Sequence, residues 1–206
     1  MLLFYLVFNM QARLNDFLKE NDLTFVERIS KGFSAEVFKV KNKKGRVMAL
    51  KIEKPKSPRQ NMVIKERLFL EKANAIGIGP KLLDCDEENR VVLLEFISGK
   101  PFGQWIFETN SKKQVQTVTA NLLKQAKKLD SLGLDHGQLA GKGKNILVQS
   151  NAKPVIIDFE KASLTRGTHN QTQLESFLFK NPHSRITKRV KELIGTKTGG
   201  NNGWSG

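Results

Sequence analysis

The stretch Val155-Ile156-Ile157-Asp158-Phe159-Glu160 decides how this chain is read. Three apolar residues in a row predict a strand that delivers a carboxylate, Asp158, to its end. Thirteen positions upstream, Asn145 leads a second apolar run, Ile146-Leu147-Val148. Between the runs, Ser150-Asn151-Ala152-Lys153-Pro154 has the composition of a turn. Two antiparallel strands joined there would set Asn145 beside Asp158. A carboxylate and an amide oxygen together are hard ligands, suited to magnesium that carries a nucleotide's phosphates.

Working outward, a first helix is expected over 11–20, and 23–52 alternates like a β-meander with strands at 24–29, 36–41 and 47–52. Asn42-Lys43-Lys44-Gly45 is a turn, and Pro55 and Pro58 end the sheet. Residues 61–76 predict a helix with Ile64, Leu68 and Ala73 on its apolar face and Glu66 and Glu71 on others. Gly77 and Gly79-Pro80 close it, and strands at 81–84 and 90–96 follow. Ser98-Gly99-Lys100-Pro101 reads as a hinge. Beyond it Val115, Val118, Leu122, Ala126, Leu129 and Leu132 predict an amphipathic helix stopped by Gly133, and a last helix is expected over 184–194. The expected fold class is α+β: a five-stranded antiparallel sheet with one inserted helix, then a small, mostly helical part. The expected division is 1–22 as N-terminal segment and helix, 23–97, 98–195, and 196–206 as a Gly- and Asn-rich disordered tail.

The 206 residues, 39% hydrophobic and 27% charged, suit a soluble globular chain. A net charge of +15 favours an anionic partner such as a nucleotide, a nucleic acid or an acidic protein surface. Residues 39–59 hold nine Lys or Arg against Glu53, and residues 180–206 hold six against Glu192. The single Cys85 excludes an internal disulfide, fits a cytoplasmic setting and is expected as a buried thiol. Met1-Leu2-Leu3-Phe4-Tyr5-Leu6-Val7-Phe8 is apolar but too short to span a bilayer, so no membrane association is expected. It is either a packed segment or lies ahead of a true start at Met10.

The order of sheet with inserted helix, hinge, helix, His-Gly-x-Leu loop (His136-Gly137-Gln138-Leu139) and Asn-led and Asp-ended strands resembles the protein-kinase-like superfamily. It is closest to the RIO-type and predicted archaeal atypical serine/threonine kinases, from about residue 23 to 195. The resemblance implies a minimal two-lobed kinase-like fold that uses ATP and Mg²⁺ to phosphorylate Ser or Thr of an unknown protein, or of itself. It assigns Lys31, Gly32, Phe33 and Ser34 to the loop over the phosphates. Lys51 in Ala49-Leu50-Lys51-Ile52 takes the strand lysine's place, with Glu66 as partner and Glu71 as fallback. The backbone of Glu95 and Ile97 would meet the adenine edge, and Asn145 and Asp158 would hold the metal.

Gln138 stands where the family carries its catalytic aspartate, and an amide cannot accept a proton. Asp135 is the surrogate, and Lys142 and Lys144 would neutralise the transferred phosphate. Glu160, in place of the glycine usual after Asp-Phe, resembles aminoglycoside and choline phosphotransferases, so a small-molecule phosphotransferase is the alternative. A further alternative is a nucleotide-binding pseudokinase or RNA-associated scaffold, with the basic last helix (Arg185, Lys188, Arg189, Lys191) docking on RNA or ribonucleoprotein.

Overall fold

A computed structural model describes residues 9–55, 57 and 61–195. Pro58, Arg59, the apolar segment 1–8 and the tail 196–206 lie outside the described residues. The chain forms two units, 1–97 with 157–163, and 98–156 with 164–206. The segment Ile157–Ser163 therefore returns to the first unit.

The first unit opens with α1 (Met10–Glu20), whose N-cap Asn9 accepts hydrogen bonds from the N–H groups of Gln11 and Ala12. A five-stranded antiparallel sheet follows: β1 (Leu23–Lys31), β2 (Ala35–Asn42), β3 (Val47–Glu53), β4 (Leu82–Asp86) and β5 (Val91–Glu95), in the order β1-β2-β3-β5-β4. Leu14 and Phe17 of α1 pack on Phe38, Val40, Met48, Leu50, Ile52, Val91 and Leu93. Strand alternation then turns Lys51 to the sheet's other face. Helix α2 (Met62–Ala75) is inserted after β3.

Of the apolar face expected of α2, Ala73 is buried and Ile64 half-buried, but Leu68 faces out. The buried residues of α2 are Met62, Val63, Glu66, Leu70 and Ala73. Glu66 thus lies on the inward stripe, where an ammonium awaits it, and a hydrophobicity pattern assigns no carboxylate to such a stripe. Glu53, fully buried, caps α2: its carboxylate accepts from the N–H groups of Asn61 (3.0 Å) and Val63 (3.3 Å) and pairs with Arg90 at 3.2 Å. Arg13 ties α1 to the sheet by donating to the carbonyls of Asn89 (2.7 Å) and Glu53 (2.5 Å).

In the second unit, β6 (Lys100–Pro101), β7 (Ile146–Val148) and β8 (Pro154–Ile156) form an antiparallel sheet, with Ile146 opposite Ile156. The expected hinge is thus partly strand: Lys100 pairs with Val148. Helix α3 (Phe102–Glu108) was not foreseen. Helix α4 (Lys112–Ser131) buries Val115, Val118, Leu122, Ala126 and Leu129, and Gly133 (φ 76°) ends it. Helix α5 (Asn170–Glu175), also unforeseen, leads through a π turn (Ser176–Lys180) to α6 (Arg185–Ile194), capped by Ser184. Among the described residues no helix is long and apolar enough to cross a membrane.

Candidate functional site

Within the first unit, β3, α2 and the returning segment converge on one ammonium. Lys51 Nζ lies 2.5 Å from Glu66 Oε2, 2.9 Å from Asp158 Oδ1 and 3.6 Å from Glu160 Oε2. Burial pulls the lysine's pKa down, but Glu66, Asp158 and Glu160 outweigh it and hold the ammonium above its ordinary value. Glu66 is held above the usual carboxylate range, first by burial and then by Asp158 and Glu160, against the opposing pull of Lys51. Three carboxylates against one ammonium leave a local excess of negative charge.

The backbone is shaped around the same point. Asp158 occupies the left-handed region (φ 67°, ψ 71°), one of five non-glycine residues to do so among the described residues, and a conformation that Asp tolerates better than most side chains. Next, Phe159 starts a single 3-10 turn, Phe159–Lys161, and donates its N–H to Glu66 Oε1 at 3.2 Å. One carboxylate thus holds the lysine with one oxygen and the returning backbone with the other. Phe159 is fully buried, and Gly79 (φ 83°) makes room for it: a Cβ there would stand 2.7 Å from Leu70 Cδ1 and 3.1 Å from the Phe159 ring.

The structure decides between the lysine's two candidate partners. Glu66 pairs with Lys51, whereas Glu71 pairs with Arg67 at 3.0 Å. Lys31, Gly32, Phe33 and Ser34 lie where β1 turns into β2. Lys54 Nζ donates to the Gly32 carbonyl and Lys54 N–H to that of Ser34 (2.9 Å), while Ser34 is buried and Phe33 is 68% exposed. Glu95 closes the sheet at the end of β5. Its N–H already donates to the Lys81 carbonyl (2.8 Å) and its carboxylate accepts from Lys81 N–H (3.1 Å), so sheet pairing uses up that amide. Ile97 is the last residue before the second unit and is half-buried.

In the second unit, the His-Gly-x-Leu loop hangs on an asparagine that the sequence did not reveal. Asn170, fully buried, accepts from His136 N–H (2.8 Å) and donates to the Leu134 carbonyl (2.7 Å) and to Asp130 Oδ1 (2.7 Å). Asp130 also accepts from the N–H groups of Asn170 and Gln171, capping α5.

The Asp135 side chain is buried and pairs with Arg166 Nε at 2.5 Å. Gln138 is half-buried, and its carbonyl accepts from the Asn145 side chain at 3.3 Å. Lys142 and Lys144 are exposed on a loop pinned at Gly143 (φ 69°). There Gly103 of α3 comes so close that a Cβ would meet the Lys142 carbonyl at 2.3 Å.

Cys85 on β4 is half-buried rather than fully enclosed, and burial pushes its thiol up to about 11.

Fold and cluster define an α+β protein of two units whose first unit carries a lysine–carboxylate centre. The chain is 34% identical over 101 residues to the uncharacterized protein MJ1211 of Methanocaldococcus jannaschii, a match covering 49% of this chain and 83% of that protein. It belongs to the family of that protein. No family model matches the chain.

Proposed function

We propose that the protein binds Mg·ATP and transfers its γ-phosphoryl group to a serine or threonine hydroxyl of a protein, itself included. The observation that carries this reading is Lys51 seated among Glu66, Asp158 and Glu160, with Asp158 in a left-handed conformation. Lys51, charged across the physiological range, offers a fixed cation to phosphate oxygens, and Glu66 orients it. The all-oxygen donors and their excess negative charge fit a hard divalent cation. Among the described residues no group of three or more His, Cys, Asp or Glu could hold a metal by itself, so the fit is to an ion that brings phosphate oxygens with it. When bound, such an ion would neutralise charge on those oxygens. Asp158 carries the metal role in the first unit, and Asn145 has its part from the sequence motif alone.

In the transfer, the acceptor oxygen bonds to the γ-phosphorus, the bond to the ADP oxygen breaks, and the hydroxyl proton passes to solvent water. Gln138 cannot take that proton, and Asp135 is held by Arg166. A general base supplies about 10²–10⁴-fold, while positioning and charge neutralisation supply most of the rest. The reading therefore calls for a slow enzyme.

The burial of Asp135 favours a second reading, nucleotide binding without transfer. Incubation with Mg²⁺ and γ-labelled ATP, with Asp158→Ala alongside, separates the two. Label on protein from the unaltered chain alone supports transfer. Equal labelling by Asp158→Ala refutes this site. ATP binding with neither label nor phosphate release selects the second reading.

A further inference from the structure

The positive charge of this chain is not shared evenly. Among the described residues the first unit holds seventeen Lys and Arg against fifteen Asp and Glu; the second holds fifteen against five. All five acids of the second unit are engaged within it. Glu108 pairs with Lys100, Asp135 with Arg166, Glu175 with Lys180 and Glu192 with Arg189, and Asp130 caps α5.

Helix α4 carries the consequence. At about 100° per residue, Lys113, Lys124 and Lys127 fall within an arc of about 60°, opposite the buried line of Val115, Val118, Leu122, Ala126 and Leu129. They span about 21 Å along the axis. The residues between them on that side, Gln116, Thr117, Ala120 and Asn121, are exposed, small or uncharged, and none is acidic. A helix face kept merely in water more often interleaves Glu with Lys four residues apart, which stabilises it. This face forgoes that gain along its whole length.

We propose that the outer face of α4 binds the phosphate backbone of RNA, with Lys113, Lys124 and Lys127 each meeting a phosphate. The proposal does not depend on phosphotransfer. A lysine ladder with short neutral side chains between its rungs lets a polyanion approach closely, and it reads charge rather than base sequence.

The test is fluorescence anisotropy of a short labelled RNA duplex, with KCl stepped from about 50 to 200 mM. The full chain is compared with the triple variant Lys113→Gln, Lys124→Gln, Lys127→Gln and with a control of equal charge loss in the first unit, Lys41→Gln, Lys44→Gln, Arg46→Gln. Circular dichroism establishes that both variants stay folded. The α4 variant is expected to bind at least about tenfold more weakly near 100 mM KCl and to flatten the log K against log salt slope by about 2 to 3. The control should keep the slope of the unaltered chain. Equal losses in the two variants would reduce the effect to net charge and overturn the proposal. So would absent RNA binding, or binding to phosphatidylserine vesicles without binding to RNA.

Discussion

Lys51 Nζ stands 2.5 Å from Glu66 Oε2, with both side chains withdrawn from solvent. Neither group could remain charged there alone, because a buried charge without a partner costs several kcal/mol. The pair therefore has consequences for stability as well as for phosphate binding.

Lys51→Met should destabilise the protein by about 3–5 kcal/mol, since it leaves Glu66 buried beside Asp158 and Glu160 without their cation. The sign with pH follows. In the unaltered protein the lysine's raised pKa gives stability that is present through neutral pH and lost only in alkali. In the variant, Glu66, already raised by burial, prefers its protonated form. Stability should then increase as pH falls from neutral toward the ordinary carboxylate range. Urea titrations across that range would show a rising midpoint for Lys51→Met and a flatter one for the unaltered chain.

Gly103→Ala should cost about 1–3 kcal/mol, because its Cβ would fall 2.3 Å from a backbone carbonyl that cannot swing away. Gly141→Ala, in the same Lys142–Lys144 neighbourhood, meets only the Gln138 carbonyl at 3.6 Å and should stay within about 0.5 kcal/mol. Thermal denaturation of the two variants gives the comparison. Equal effects would mean that the loop is not pinned at Gly103.

Asn170→Ala removes the acceptor of a buried N–H, that of His136, and should cost at least about 1–3 kcal/mol. Asn170→Asp keeps that acceptor but turns a carboxylate toward Asp130 and the Leu134 carbonyl, so it should not rescue stability. Denaturant midpoints for the pair test whether the amide's donor side matters.

Cys85 is the single cysteine, so alkylation reports on it alone. Its rate with iodoacetamide should follow thiolate formation with a midpoint near pH 11, rather than near the ordinary value of about 8.5. A midpoint below 9 would mean that the β4 strand leaves the thiol open to water.

The elements were legible wherever periodicity is strong. The five sheet strands, α2, α4 and α6 were expected near where they form, and Gly77 and Gly133 mark helix ends as read. The partnership of Lys51 with Glu66 was readable only through the kinase-like resemblance: a lysine between Leu50 and Ile52 asks for a counter-charge, but the motif order is what pointed to Glu66 ahead of Glu71. What escaped was set by tertiary contact. Glu160 reaches Lys51 only because the chain turns left-handed at Asp158. Asn170 gains its role from the 134–136 backbone more than thirty residues away. Helices α3 and α5, of seven and six residues, are too short for a periodic signature to stand out.

The return of Ile157–Ser163 to the first unit makes that unit discontinuous in the gene. A ribosome releasing residues 1–97 releases a sheet whose Lys51 still lacks Asp158 and whose Gly79 hollow still lacks Phe159. Closing the unit requires a contact between residues 107 positions apart, after the intervening segment has emerged. A fragment cut after residue 97 would therefore be an unfinished fold rather than a smaller domain. Supplying a peptide of residues 157–163 in trans should restore part of what it lost.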